Sequence, residues 1–166
     1  MAYPVEVYSS GVLVSSGTLS EEQELEQGGC DSMFVYSGGT AVETTINEGT
    51  VLTADSGAVI ECINIEGGVL SATDAYCSGA EKWYGPVACA TTGDIVLSGG
   101  TYTANAATDL NGAIGFGGAF QLLPGMLTVN GGVYSSNSAT GGGGAIYVAG
   151  TASITDAEFT GNSALS

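Results

Sequence analysis

The sequence has no histidine and no arginine, and Lys82 is its one basic side chain against seventeen Asp plus Glu. Each absence removes a class of function. Without Lys and Arg nothing can release counterions from a phosphate backbone, which excludes nucleic-acid binding. The same deficit excludes attachment to an anionic lipid surface. Without His the usual base that activates a Ser or Cys nucleophile is missing. A zinc site would need all four cysteines, and none stands in a C-x-x-C pair. Proline is confined to Pro4, Pro86 and Pro124, which excludes a collagen-like or Pro-rich spacer. No apolar run reaches transmembrane length. MAYPVEVYSS lacks the basic start and apolar centre of a secretory signal. No membrane insertion of this segment is therefore expected, and an export signal is expected outside it. There is no EF-hand loop and no G-G-x-G-x-D repeat, so the net charge of -16 is read as a solvated, self-repelling surface. No cofactor is expected.

Glycine, by contrast, is abundant, at 28 of 166 residues, about twice its ordinary share. The apolar fraction of 44% is too high for a disordered chain. Regularly spaced Val, Ile, Thr, Tyr and Gly predict many short strands. The glycines are also locked to repeats. FVYSGGTAVETTINEG, from Phe34, matches LTADSGAVIECINIEG, from Leu52, at an offset of eighteen. That alignment pairs Glu43 with Glu61 and Glu48 with Glu66. A looser copy at an offset of twenty-one places VSSG at Val14 on VYSG at Val35, and Leu25 on Ile46. The second half uses another unit, in VLSGGTYTANAA, TVNGGVYSSNSA and ITDAEFTGNSA. Tyr102, Tyr134 and Phe159 coincide there, as do Asn105, Asn137 and Asn162, at spacings of thirty-two and twenty-five. GGAF, from Gly117, and GGAI, from Gly143, sit between the copies.

A unit of about twenty residues is one turn of a β-solenoid, in which each strand pairs with the turns above and below. The expected fold is all-β, a parallel β-helix of about seven rungs with inward residues stacked into a core. A β-sandwich would not require recurrence at fixed offsets. Glycine is expected at corners with φ > 0, and the repeated Asn at turns. The organisation reads as strand-loop-strand rungs over 1–75, an inserted loop over 76–93, and rungs of the second type over 94–166. Pro4 suits an edge strand. The last rung is expected to leave an open edge, with end-to-end self-association promoted by screening salt.

Both halves carry a resemblance. Gly143-Gly144-Ala145-Ile146 and Phe159-Thr160-Gly161-Asn162, with Tyr for Phe in two copies, resemble the GGA[ILV] and FxxN motifs of chlamydial polymorphic membrane proteins. Ser37-Gly38-Gly39-Thr40-Ala41 and Ile46-Asn47-Glu48-Gly49 resemble the strand-loop-strand repeats of AIDA-type autotransporter passengers. Together they cover most of the chain outside 76–93. The resemblance implies a right-handed parallel β-helix, extracellular on a bacterial surface and usually serving adhesion. Its expected partner is a host or microbial surface glycan or protein.

Right-handed β-helices also host polysaccharide lyases and hydrolases. Lyases of that shape use Arg or Lys, and this chain offers only Lys82. Hydrolases need two carboxylates at a fixed separation. Asp31, Asp55, Asp74, Asp94, Asp109 and Asp156 are scattered, with no D-x-D or D-D. The expectation is a non-enzymatic, adhesin-like module, the alternative being a carbohydrate-binding or carbohydrate-cleaving β-helix. Glu43, Glu61, Glu48 and Glu66 read either as cation-binding ladders or as a solvated edge that resists lateral pairing. Lys82, Trp83 and Tyr84 form a candidate contact patch, unless Trp83 folds back over the flank. Cys77 and Cys89 read either as a bridge closing a short loop, stabilising by roughly 2–3 kcal/mol, or as two buried thiols.

Overall fold

The computed structural model describes residues 5–9, 12–16, 23–25, 31–78, 81–82, 87–107, 120–122 and 125–165. The fold is all-β, and its sheets are parallel except at the N-terminal edge. β1 (Val5–Ser9) and β2 (Val12–Ser16) form an antiparallel hairpin, followed by β3 (Gln23–Leu25). The first full layer is β4 (Ser32–Val35), β5 (Thr40–Val42) and β6 (Thr44–Asn47). The second is β7 (Val51–Ala54), β8 (Val59–Glu61) and the start of β9 (Ile63–Thr73). β9 passes from one layer to the next, because Ile65 lies beside Ile46 and Leu70 beside Leu52. The third layer is the rest of β9, β10 (Tyr76–Ser78), β11 (Glu81–Lys82) and the start of β12 (Ala88–Ser98). The fourth is the rest of β12, β13 (Thr101–Thr103), β14 (Ala106–Ala107) and β15 (Phe120–Leu122). The fifth is β16 (Met126–Asn130), β17 (Val133–Ser135), β18 (Ser138–Ala139) and β19 (Ile146–Val148). The sixth is β20 (Thr151–Thr155), β21 (Glu158–Thr160) and β22 (Ser163–Ala164).

Each strand pairs with its equivalents in the adjoining layers. Among the described residues this gives a first sheet of twelve strands, a second in the order β21-β17-β13-β10-β8-β5, and a third in the order β11-β14-β18-β22. Alternation along each strand sends every second side chain inward. The inward positions then stack by register. Met33, Leu52, Leu70, Ile95 and Leu127 form one buried column. Val35, Ala54, Ala72, Leu97 and Val129 form a second. Burying each Leu or Ile contributes about 1.5–3 kcal/mol, so the columns hold the layers together more than any single turn does.

Several expectations need correcting. The VSSG copy is no parallel rung: β2 runs antiparallel to β1, and β1 antiparallel to β4, with Val5 beside Val35 and Val7 beside Met33. A two-residue alternation looks the same read in either direction, so it fixes which face is buried but not which way a strand runs. The offset of twenty-one holds for β3, where Leu25 pairs with Ile46. Among the described residues the second sheet has six strands, and β3 belongs to the layer before them. Within 76–93 the described residues form β10, β11 and the start of β12 and so belong to the layers, while 79–80 and 83–86 lie outside the described residues. Cys77 fills the inward place of β10, and that place bears neither the aromatic nor the glycine by which the repeats were aligned.

Candidate functional site

The second sheet carries one inward column through all six layers. Tyr102 pairs with Cys77 and Tyr134, and Tyr134 with Phe159. Ala41 pairs with Ile60, and the register of β8 with β10 places Ile60 next to Cys77. Strand spacing dictates ring stacking. The Tyr102 and Tyr134 rings lie 5.2 Å apart at 26°, and those of Tyr134 and Phe159 4.9 Å apart at 16°. Such offset stacks contribute about 0.5–1.5 kcal/mol beyond area burial.

Two residues after each ring the chain turns through a left-handed conformation, at Ala104 (φ 55), Ser136 (φ 55) and Gly161 (φ 65). The asparagines are at the turns, as expected, but not at the positive-φ positions themselves. They follow them instead, and the turn drives each Asn inward. Asn105 and Asn137 are fully buried. The backbone N–H and Nδ2 of Asn105 both donate to Asn137 Oδ1, at 3.1 and 3.0 Å. Those of Asn137 donate to Asn162 Oδ1, both at 3.0 Å. The same amides also reach back to the aromatic column. Asn137 Nδ2 donates to the Tyr102 carbonyl at 2.9 Å, and Asn162 Nδ2 to the Tyr134 carbonyl at 2.7 Å. At the other end the Cys77 thiol donates to Asn105 Oδ1 at 3.4 Å. Burying an amide without partners costs about 1–3 kcal/mol on protein scales, and the ladder offsets that cost layer by layer.

Gly143 and Gly144 serve close approach rather than positive φ. A Cβ on Gly144 would lie 2.6 Å from the Ser163 backbone nitrogen in the next layer, and one on Gly143 would strike the Ile146 carbonyl. The GGAI segment therefore lets the fifth layer rest directly on the sixth, with Ala145 buried.

The remaining candidates do not converge on one place. The register between the first two layers is nineteen, not eighteen, which sets Glu61 beside Val42. Glu43 occupies a left-handed corner (φ 51), and Glu66 lies beside Asn47 with its carboxylate accepting from Asn64 Nδ2 at 2.8 Å. No Glu43–Glu61 or Glu48–Glu66 ladder forms, because the extra residue falls at the corner, where an alignment keyed on glycine cannot see it. Among the described residues no group of three or more His, Cys, Asp or Glu could hold a metal. Cys77 points into the core from the second sheet, whereas Cys89 sits between inward Ala88 and Ala90 on the first, and the two are not bridged. Burial pushes the Cys77 thiol up to about 12, with Glu61 and Cys62 adding to the effect. Burial pushes Cys89 up to about 11. Burial also holds the Tyr102 and Tyr134 hydroxyls far above their ordinary range. Lys82 pairs by register with Ala107, while Trp83, Tyr84, Cys30 and Gly117 lie outside the described residues.

One exposed surface stands out, and sequence reasoning named its position but not its content. Val129 and Tyr134 are buried, yet their register equivalents Ile154 and Phe159 are each 44% exposed, and Leu165 is 69% exposed. Ile154 and Phe159 are inward positions of the sixth layer, and no layer covers them among the described residues. Comparison with protein-family models, with curated proteins and with solved structures returns no match to this chain.

Proposed function

We propose that this chain is a non-enzymatic right-handed parallel β-helix that acts as an adhesin-like module at a bacterial cell surface. Its work is to present outward side chains on a stiff layered support to a surface glycan or protein. The observation that carries this reading is the in-register stacking of inward columns through six layers, including the rings at 102, 134 and 159. Stacking of that kind fixes outward residues at the strand spacing as well. Thr103 and Ser135 stand in one outward row with their hydroxyl oxygens 3.0 Å apart, part of the row Ser78, Thr103, Ser135 and Thr160. Hydroxyl rows on a rigid face suit contact with hydroxyl-rich ligands. The strong acidity and the lack of Arg and His favour neutral partners over anionic ones.

Glycan-array and cell-surface binding by the purified chain tests this. Expected is binding without release of sugar ends, weakened by Trp83→Ala or Tyr84→Ala. Release of unsaturated or reducing ends, abolished by a single Asp or Glu substitution, would replace this reading with the carbohydrate-cleaving one.

A further inference from the structure

We infer that the far face of the sixth layer is a docking surface for one further parallel β-layer carrying an aromatic-x-x-Asn signature, and not for a second copy of this chain. The apolar part of the face is a column cut open. Phe159 offers its free ring face where Tyr134 receives Phe159 on the layer before, and Ile154 continues the buried line of Leu97 and Val129. An unspecific apolar surface would fit many partners. The hydrogen-bonding groups narrow the choice.

The asparagine ladder has a direction. The N–H and Nδ2 of Asn105 and Asn137 donate forward to the Oδ1 of the next Asn, while Nδ2 also donates back, from Asn105 to the Cys77 carbonyl, from Asn137 to that of Tyr102 and from Asn162 to that of Tyr134. Asn162 has its Oδ1 filled by Asn137 and one Nδ2 hydrogen placed on Tyr134. Its backbone N–H and second Nδ2 hydrogen meet no acceptor among the described residues. The incoming group must be an acceptor at the Asn position, three residues after a ring that stacks on Phe159. By the same register its own amide would donate to the Phe159 carbonyl.

A second copy cannot supply this. Head to tail, its leading edge among the described residues carries Ala41 where the ring is needed and Thr44 where the Asn is needed, and Thr44 is already paired with Gln23 of β3. The first sheet of that edge is also covered by β1 and β2 running antiparallel. Tail to tail, each Asn162 Oδ1 is turned away toward its own Asn137, so the two faces present asparagine donors to each other and no asparagine oxygen.

The test uses the full chain extended after Ser166 by a Gly/Ser tether and a second copy of residues 151–165, which holds the added layer at millimolar effective concentration. A matched extension carries Phe159→Ser and Asn162→Leu in the added copy only. The readouts are hydrogen exchange at the original Asn162 amide and sedimentation of all three proteins, with the Asn137 amide reporting that the fold is intact. Expected is at least about tenfold slower exchange at Asn162 with the unaltered copy, no slowing with the substituted copy, and an unextended chain that stays monomeric. Equal protection by both copies, or by neither, overturns the inference. So does an unextended dimer with Asn162 already protected, which would assign the face to a second copy. The inference depends on layer geometry and not on the adhesin reading, so failure to bind glycans or cells would leave the exchange result unchanged.

Discussion

Truncating Asn137 tests the ladder most sharply. Its side chain accepts twice from Asn105 and donates to Asn162 Oδ1 and the Tyr102 carbonyl, all within 3.1 Å. In Asn137→Ala the two Asn105 donors and the Tyr102 carbonyl lose their partners inside the core. An orphaned buried polar group costs about 1–3 kcal/mol, so three of them, partly rescued by relaxation, should cost about 3–5 kcal/mol. Against a domain stability of about 5–15 kcal/mol, that is a large share. Asn162→Ala removes an acceptor at a half-buried position where water can substitute, and should cost about 1 kcal/mol. Asn105→Ala should fall between, at about 2 kcal/mol, because the backbone N–H of residue 105 still reaches Asn137 and the lost contacts to Cys77 are long, at 3.4 Å. Guanidinium denaturation at matched slope measures all three. If Asn137→Ala costs no more than Asn162→Ala, the ladder is decoration and the columns alone hold the layers.

Four further outcomes follow from particular residues. Ala104→Gly should raise the unfolding free energy by about 0.5–1 kcal/mol, seen as a higher denaturation midpoint, since a left-handed Ala at φ 55 is strained by more than the entropy that Gly adds to the unfolded chain. Gly144→Ala should cost about 2 kcal/mol or more and accelerate exchange at the Ser163 amide, because the added Cβ meets backbone rather than a movable side chain. Mass spectrometry after alkylation at pH 8 should find Cys77 and Cys89 unmodified in the native protein and modified after denaturation. Raised folded-state values for these thiols also set the sign of an alkaline transition. Their contribution is complete below the unfolded value of 9.0 and lost as pH rises through about 11 and 12, so midpoints measured from pH 8 to 12 should hold and then fall.

What was legible in the sequence was what repeats in chemistry. Tyr102, Tyr134, Phe159 and the three asparagines could be aligned by eye because a ring and an amide are conspicuous, and the strands pair them as aligned. Strand direction was not legible. Val5 and Val7 fit the core of an antiparallel strand as well as a parallel one, and only long-range pairing decides between them. Register in the first half slipped by one because glycines align corners, whereas pairing is set by the strands between them. Cys77 went unrecognised as a column member because a small thiol and a phenol share only their preference for burial.

The asparagine ladder gives the fold a polarity that its strands do not. Successive peptide groups of a strand point alternately to the layer above and the layer below, so their dipoles largely cancel along the stacking direction, but the side-chain oxygens of Asn105, Asn137 and Asn162 all accept from the preceding layer. Their dipoles add from layer to layer, and each bond polarises the next. The energy of such an array is not a sum of equal neighbour terms of the kind that describes other repeat proteins. A layer in the interior is held more tightly than the same layer at an end, although every distance around it is the same.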